Sequence, residues 1–325
     1  MHQESLRSVV LQEMNEERYS RKHIDTKIRD AIYSNPVMVD KLIQGMDLVR
    51  AYMSGTYYDS KMKRIAQLGN LDVEALVMDI FTGIAYSQKP ELFTSVSSQM
   101  SSRLKFSDKT EAITTVAELM AVLCRTDAFD ISKQNKLASL MVVSRIPLPE
   151  TLINFINNSQ YLPPMVCEPL ELTHNYSSGY LTHNDSLILG SGNHHDGDIC
   201  LDVLNLMNTV KLRLDTEFLC KIEEDSSEIT IDSIKASALK KGKYLTDAQA
   251  KERVRAALDN WSNFKKQSYG FYSLMASQGN EFHLCHKVDK RGRIYSQGYH
   301  IHSQGASFKK AMLELAQEEL VNGVP

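Results

Sequence analysis

The residues best suited to chemistry fall in one segment, 288–316, which reads VDKRGRIYSQGYHIHSQGASFKKAMLELA. Arg291 and Arg293 stand on either side of Gly292, so a phosphate can approach the backbone closely while each guanidinium grips it through paired N–H donors. Asp289 precedes them and can form a structural salt bridge with either arginine. We expect Asp289 to orient the arginines rather than to bind a metal ion. The segment therefore predicts a site for a phosphate-rich ligand.

Further polar residues follow in the same segment. Tyr295 comes soon after the second arginine and can lie against a sugar or a base. Gln304 and the glycine after it form a predicted turn. Lys309 and Lys310 begin a predicted helix, whose positive end attracts anions. These side chains extend the predicted anion site.

This segment resembles the single-subunit, bacteriophage-type DNA-directed RNA polymerases. In that family an Asp-x-x-Gly-Arg motif with a following aromatic residue opens the palm and holds the template and the nascent hybrid. Asp289, Gly292 and Arg293 match its fixed positions, and Tyr295 matches the aromatic residue. A long ordered match of this kind is far more specific than the short motif alone.

The downstream part of the match needs a shift of one residue, which brings Gln304-Gly305 and Lys310 onto the family's turn and helix. The resemblance implies that template DNA or the RNA–DNA hybrid is bound by Arg291, Gly292, Arg293, Tyr295, Gln304, Lys309 and Lys310.

A looser resemblance lies upstream, where Pro163-Pro164-Met165, Gly179-Tyr180 and Met207-Asn208-Thr209-Val210 occur in the family's order before its thumb. The resemblance implies that 200–279 is a thumb-like helical hairpin that closes over the hybrid. Its second arm is basic, which suits a polyanion. The expected hybrid contacts on this arm are Lys251, Arg255, Lys265 and Lys266.

One departure from the family concerns catalysis. The family's two metal-binding aspartates, its nucleotide-binding lysine and its sugar-selecting tyrosine all lie beyond the first palm motif, and this sequence ends 32 residues after Arg293. Two-metal nucleotidyl transfer needs paired carboxylates. Either the sequence is a fragment or the polymerase is split into two chains. The tail, 318–325, looks like a natural end in a turn, and the chain resembles the smaller, N-terminal subunit of the heterodimeric RNA polymerases of enquatrovirus-type phages.

That resemblance implies no catalytic residue and no metal site in this chain. It implies Mg²⁺ bound by a second polymerase subunit that carries the rest of the palm and the fingers. The other implied partners are DNA template, RNA and phage accessory transcription factors, and the implied location is the cytoplasm of the infected bacterial host.

Composition sets limits on these ideas. The chain has 325 residues, 42% of them apolar, with 37 basic and 40 acidic side chains and a net charge of -3. These values favour a folded, soluble protein that is not basic overall, and no stretch is apolar enough to predict a membrane span. The charge is segregated, however: 223–232 holds five acids and no base, while 235–272 holds nine bases and three acids. The five cysteines are widely spaced, which disfavours a disulfide scaffold or a four-thiolate zinc site.

Hydrophobic spacing predicts a mainly α fold with a small α+β part. We expect a helical N-terminal domain at 1–145, a turn-rich connecting region with short strands at 146–199, a thumb-like helical hairpin at 200–279, and the start of a palm at 280–325. Within these segments the pattern predicts helices throughout 1–145, one helix over 202–221, another over 247–275, and a closing helix over 308–320.

Two other interpretations stay open. A metal hydrolase could use His194, His195, Asp196 and Asp198, but their spacing fits no helical metal-binding pattern, and a polar turn is the simpler explanation. The histidines at 283, 286, 300 and 302 either line an anionic groove or pack structurally. A non-enzymatic nucleic-acid-binding accessory protein could use the basic hairpin alone.

Overall fold

The structure is a computed structural model that describes residues 2–133, 139–159, 161–190, 192–221, 229–305 and 307–317. The chain forms two compact units. The helical unit is Tyr19–Gln160, and the mixed unit combines Met1–Arg18 with Tyr161–Pro325. Helices predominate and the sheets are small, which confirms a mainly α fold with a small α+β part.

The elements of the first half, in chain order, are α1 (His2–Arg18), α2 (Arg21–Tyr33), α3 (Pro36–Met53), α4 (Asp59–Leu68), α5 (Val73–Tyr86), β1 (Glu91–Leu92), α6 (Phe93–Ser101), α7 (Lys109–Leu123), β2 (Phe129–Lys133), β3 (Leu140–Ser144) and α8 (Glu150–Asn158). All but α1 belong to the helical unit. Its strands form an antiparallel sheet in the order β1-β3-β2.

Side-chain caps define the starts of the principal helices in the helical unit. The Asn35 Oδ1 accepts from the backbone N–H of Val37 at 3.0 Å, and Pro36 occupies the first helical position, where its missing N–H costs nothing. Asp72 caps α5 and Asp108 caps α7 in the same way. The apolar spacings that predicted α3, α5 and α7 are confirmed, because those side chains form the unit's core.

Two expectations for this region are wrong. Residues 1–145 are not helical throughout, since β1, β2 and β3 lie within them. The β-branched residues of β2 and β3 suit a pleated strand, and each strand gains a hydrogen-bonded neighbour. The stretch 146–199 also contains a helix, α8, which buries Leu152 and Ile156.

The elements of the second half are α9 (Leu201–Asn208), β4 (Lys211–Leu214), α10 (Thr216–Lys221), α11 (Ile231–Leu239), α12 (Asp247–Ser277), β5 (Phe282–His283), β6 (His286–Val288), β7 (Ile294–Ser296), α13 (Ser307–Ala311) and β8 (Leu313–Leu315). They form an antiparallel sheet in the order β5-β4-β8 and a separate β6-β7 pair. Strands β5, β6 and β7 all lie within 281–299.

The single helix predicted over 202–221 is wrong. It is divided into α9, β4 and α10, because β4 is the central strand of a sheet and pairs with β5 on one side and β8 on the other. The closing helix predicted over 308–320 is also wrong. It stops at Ala311, and Leu313 and Leu315 alternate in β8 instead. Residues 318–320 lie outside the described residues, as does most of the acidic stretch 223–232.

The helical hairpin exists, but its first arm is α11 rather than 202–221. Thr246 opens α12 with a capping box, in which its Oγ1 accepts from Gln249 N at 3.3 Å and Gln249 Oε1 accepts from Thr246 N at 3.1 Å. An ion pair between Lys235 and Asp247 joins the two arms. The 31 residues of α12 span about 46 Å. The compact units end near residues 18 and 160, whereas the four functional segments predicted from the sequence remain predictions.

The first helix, α1, is fastened into the mixed unit by a buried carboxylate. Glu16 accepts hydrogen bonds from Leu181 N at 2.9 Å and from Thr182 N at 2.7 Å. Gln12 adds a third bond at 2.8 Å. Burial alone would raise the pKa of Glu16, but its hydrogen bonds, of which that of His183 has the largest effect, lower it to about 2.

All five cysteines lie within the described residues and are free thiols. Over the described ranges, no helix is both long enough and apolar enough to cross a lipid bilayer.

Candidate nucleic-acid interface

The Asp-x-x-Gly-Arg motif forms the loop of a β-hairpin. Strands β6 and β7 pair antiparallel, with Val288 opposite Ile294. In the loop, Gly292 N donates to Asp289 O at 2.9 Å, and Asp289 N donates to Arg293 O at 2.9 Å. This is the pattern of a three-residue hairpin loop that ends in a glycine with left-handed backbone. Gly292 has that conformation, with φ of +79°.

The carboxylate of Asp289 is the centre of the loop. Its Oδ1 accepts from Arg291 N at 2.9 Å and from Arg293 N at 3.0 Å. Its Oδ2 accepts from Arg293 Nε at 2.8 Å and lies 3.3 Å from Arg291 Nη2. One side chain therefore fixes both the backbone and the two guanidinium groups, which is how an aspartate at the first position of a turn acts.

Both arginines remain accessible. The side chains of Arg291 and Arg293 are 63% and 55% exposed, whereas that of Asp289 is 17% exposed. A solvent-exposed ion pair contributes little to stability, about 0–1 kcal/mol, so a phosphate can compete for these guanidinium groups at low cost. A Cβ at Gly292 would meet nothing within 4 Å, so the backbone between the arginines is also open.

Two more residues of the motif flank the loop. The ring of Tyr295 is half-buried on β7, and the Arg293 guanidinium lies 5.6 Å from its centroid. The exposed Gln304 donates from Nε2 to Ile294 O at 3.0 Å. The structure therefore brings Gln304 beside the strand that leaves the loop.

The two lysines have different environments. Lys310 is exposed, whereas Lys309 is buried and donates from Nζ to Tyr299 O at 2.6 Å. Burial lowers the pKa of Lys309. This position argues against the phosphate contact predicted for Lys309. The helix they were expected to open, α13, is only five residues long.

Sequence reasoning missed the residues that support β6. The Oδ1 of Asn208 accepts from His286 N at 2.9 Å, and Leu189 N donates to Val288 O at 2.7 Å. Lys287 Nζ donates to Asp185 Oδ2 at 2.8 Å, and this bond lowers the pKa of Asp185. Of these supporting residues, only Asn208 lies within a segment that the sequence resemblance singles out, the approach to the thumb.

Three of the four histidines near the motif pack structurally. His283, His286 and His300 are buried, and burial lowers the pKa of each, to about 4 for His300. His300 stacks on Phe271 with ring centroids 4.7 Å apart, and its Nδ1 lies 2.8 Å from Ser268 Oγ. Neutral, enclosed imidazoles of this kind do not form an anion-binding groove.

The basic residues predicted on the hairpin share one face of α12. Arg255, Lys265 and Lys266 follow Lys251 by 4, 14 and 15 residues, each close to a whole number of helical turns. Lys251, Arg255 and Lys266 are exposed, and Lys265 is half-buried with its Nζ 5.7 Å from the Tyr269 ring. We call these four residues the basic stripe.

The residues described here show no metal centre. Among them, no three His, Cys, Asp or Glu side chains cluster closely enough to hold a metal ion. In the turn that suggested a hydrolase, His194 Nε2 lies 3.2 Å from Asp196 Oδ1 and His194 Nδ1 lies 3.0 Å from Ser186 Oγ. These contacts are those of a polar turn.

Comparison with known proteins gives a general answer. No family model matches the sequence. The chain is 26% identical over 161 residues to a probable DNA-directed RNA polymerase of Gelasinospora sp. (strain G114). This similarity supports a relationship to RNA polymerases. The aligned region covers 47% of this chain and 17% of the length of that relative.

Proposed function

We propose that this chain is the N-terminal subunit of a two-chain, phage-type DNA-directed RNA polymerase. The observation that carries the proposal is the loop in which Asp289 holds Arg291 and Arg293 half-exposed beside an open glycine. The similarity to a probable RNA polymerase supports the same class of enzyme. The two-chain organisation rests on the resemblance described from the sequence.

In this proposal the chain holds nucleic acid and does not perform the chemical step. The two guanidinium groups bind backbone phosphates of template or hybrid, and Asp289 keeps them in place between encounters. Tyr295 positions the template beside the loop, and Lys310 and the basic stripe add positive charge. A helical hairpin with an exposed basic face can follow a duplex in the manner of a thumb.

The proposal assigns Mg²⁺ and the catalytic aspartates to a partner subunit, and the location to the cytoplasm of an infected bacterium. The described residues offer no cluster that fits the metal ions, so no step through them is assigned to this chain.

The test is recovery of the tagged full-length chain from infected cells, followed by an assay of template-dependent RNA synthesis. The wild-type eluate should contain a second chain with the missing aspartates and should synthesise RNA. Arg293→Ala should recover the same partner and abolish elongation. The matched control is Arg50→Ala, which removes an arginine of similar exposure, 56%, from the helical unit.

Wild-type elongation by Arg293→Ala at equal partner occupancy would contradict the assignment. A chain recovered alone and inactive, yet still able to bind nucleic acid, would instead support the non-enzymatic accessory protein.

A further inference from the structure

The turn between α11 and α12, residues 240–244, carries positive charge that no acid neutralises. We call it the hairpin tip, and its residues are Lys240, Lys241, Gly242, Lys243 and Tyr244. The three lysines are exposed, and among the described residues none of them has an ion-pair partner. The acid nearest in sequence, Asp247, is paired with Lys235. The hairpin tip therefore presents three unpaired ammonium groups.

Hydrogen bonds fix the hairpin tip at both ends. The N–H groups of Gly242 and Lys243 donate to carbonyl oxygens in the last turn of α11, at 2.9 and 3.0 Å, in the Schellman pattern that ends a helix. Gly242 supplies the left-handed backbone that this pattern needs, with φ of +70°. Only the three residues 243–245 separate this glycine from the Thr246 cap of α12. A ligand therefore meets a preorganised turn.

Helix stability explains part of this composition. Lysines near the end of a helix interact favourably with its negative pole, which accounts for Lys240 and Lys241. It does not account for Lys243 and Tyr244, which lie beyond that end. The Tyr244 side chain is 88% exposed. Positive charges beside an accessible aromatic ring are the combination that binds single-stranded nucleic acid, because the charges attract phosphates and every base has a face that can stack.

The hairpin tip lies at the end of the basic stripe and away from the packed part of α12. Apart from Ala250, the buried residues of α12 begin at Ser268, about 32 Å of helix from Asp247. The stripe ends at Lys251, about 6 Å of helix from Asp247. A strand whose phosphates follow the stripe toward the start of α12 therefore arrives at the hairpin tip.

We propose that the hairpin tip is a contact for single-stranded nucleic acid, in which its lysines bind phosphates and Tyr244 stacks on an unpaired base. The proposal rests on the proposed function for its class of ligand, nucleic acid. It adds a contact outside the residues that the resemblance implies. It also requires an unpaired base, because a base within a duplex has both faces covered by its neighbours.

The first test measures the charges. A labelled oligothymidylate of about 12 nucleotides is long enough to span the stripe and the hairpin tip, and its binding to the full-length chain is measured at several salt concentrations. Changing the three lysines of the hairpin tip to glutamine should weaken binding about tenfold. It should also reduce the slope of log affinity against log salt by about 2, since each single-strand phosphate contact contributes about 0.7. The matched control changes three exposed lysines of the helical unit to glutamine and should leave the slope unchanged: Lys22, Lys27 and Lys63.

The second test isolates the ring. A second probe has the same length and charge but abasic positions, and the wild type should bind it less tightly than the oligothymidylate. Tyr244→Ala should weaken binding of the oligothymidylate about tenfold and leave the abasic probe unaffected. Tyr244→Trp should restore the preference. Tyr58→Ala, which removes a 63% exposed tyrosine from the helical unit, is the control and should change neither.

The other outcomes overturn the proposal. Equal losses from the two lysine triples would show an effect of net charge, and equal binding of the two probes by the wild type and Tyr244→Ala would show that no base is stacked. If the hairpin-tip variants release the partner chain but keep oligothymidylate binding, the tip is a contact for protein.

Stripe variants separate these failures from failure of the proposed function. Lys251→Glu with Arg255→Glu should weaken both probes through lost phosphate contacts. If these changes weaken binding while the hairpin-tip variants do not, only the tip contact is wrong. If the wild type binds neither probe, both proposals are overturned.

Discussion

At the scale of single residues, Asp289 performs two functions that substitution can separate. Its Oδ1 accepts two backbone N–H groups, and its charge pairs with two arginines. Asn keeps an acceptor oxygen but removes the charge, whereas Ala removes both. We expect Asp289→Ala to lower the free energy of unfolding by about 1 kcal/mol or more, and Asp289→Asn to lower it by less, because a net loop hydrogen bond is worth about 1 kcal/mol.

The affinity for nucleic acid should not follow the loss of stability. Asp289→Asn removes a carboxylate that competes with phosphate, so its affinity at low salt should equal or exceed that of the wild type. Urea unfolding and a salt titration of binding measure the two effects. Equal losses of stability in both variants would show that the backbone contacts do not hold the loop.

At the scale of elements, the hairpin loop and α12 offer a matched pair of glycines. Gly292 has a left-handed backbone, and Gly270 lies within α12, yet a Cβ at either would meet nothing within 4 Å. Gly292→Ala should destabilise the protein by about 1–2 kcal/mol through backbone strain. Gly270→Ala should stabilise it by about 0.5–1 kcal/mol, since alanine is the better helix former. Thermal unfolding measures both, and a loss from each substitution would show that packing rather than backbone conformation decides.

How far the elements could be predicted depends on where their stability comes from. The core side chains of α3, α5 and α7 follow helical spacing, and Asn35, Asp72 and Asp108 mark the starts, so local patterns were sufficient. In β4 the pattern misled, because Leu212 gains its partners from Phe282 and Leu315, far along the chain. No local window contains that information.

The candidate site also combines local contacts, which could be predicted from the sequence, with contacts between distant residues, which could not. The contact of Asp289 with its neighbouring arginines was predictable, since those residues lie within one turn. The burial of Lys309 was not, because it depends on how α12 packs. That the exposed residues bind nucleic acid remains a prediction.

At the scale of the whole molecule, the buried histidines make the mixed unit sensitive to acid. The folded pKa of His300 is about 4, below its ordinary value of 6.5, because burial disfavours the charged ring and Lys309 repels it. The unfolded chain therefore takes up the proton first. The contribution of neutral His300 to the free energy of unfolding should be fully present above pH 6.5. It should be lost as the pH is lowered toward 4, and the loss should be on the order of 3 kcal/mol.

Urea unfolding at several pH values measures this effect. His300→Phe keeps a ring against Phe271 and removes the titration, so its stability should fall less steeply between pH 6.5 and 4. Phe271→Leu disturbs the same stack but keeps the imidazole, so its stability should still fall between pH 6.5 and 4. An unchanged slope in His300→Phe would contradict the assignment. Glu16 adds a separate loss at lower pH, between its ordinary value of 4.5 and about 2.

The position of α1 also determines the order in which the chain can fold during synthesis. Gln12 accepts from Val166 N, and Glu16 from Leu181 N, so α1 leaves the ribosome long before its partners, by 154 and 165 residues. At about 5–20 residues per second, the first helix waits roughly 10–30 s for them. Meanwhile the helical unit has all of its own sequence and can fold first. The mixed unit is completed only when its later part packs against α1, and apolar side chains of α1 that this packing covers, such as Val9, stay exposed until then.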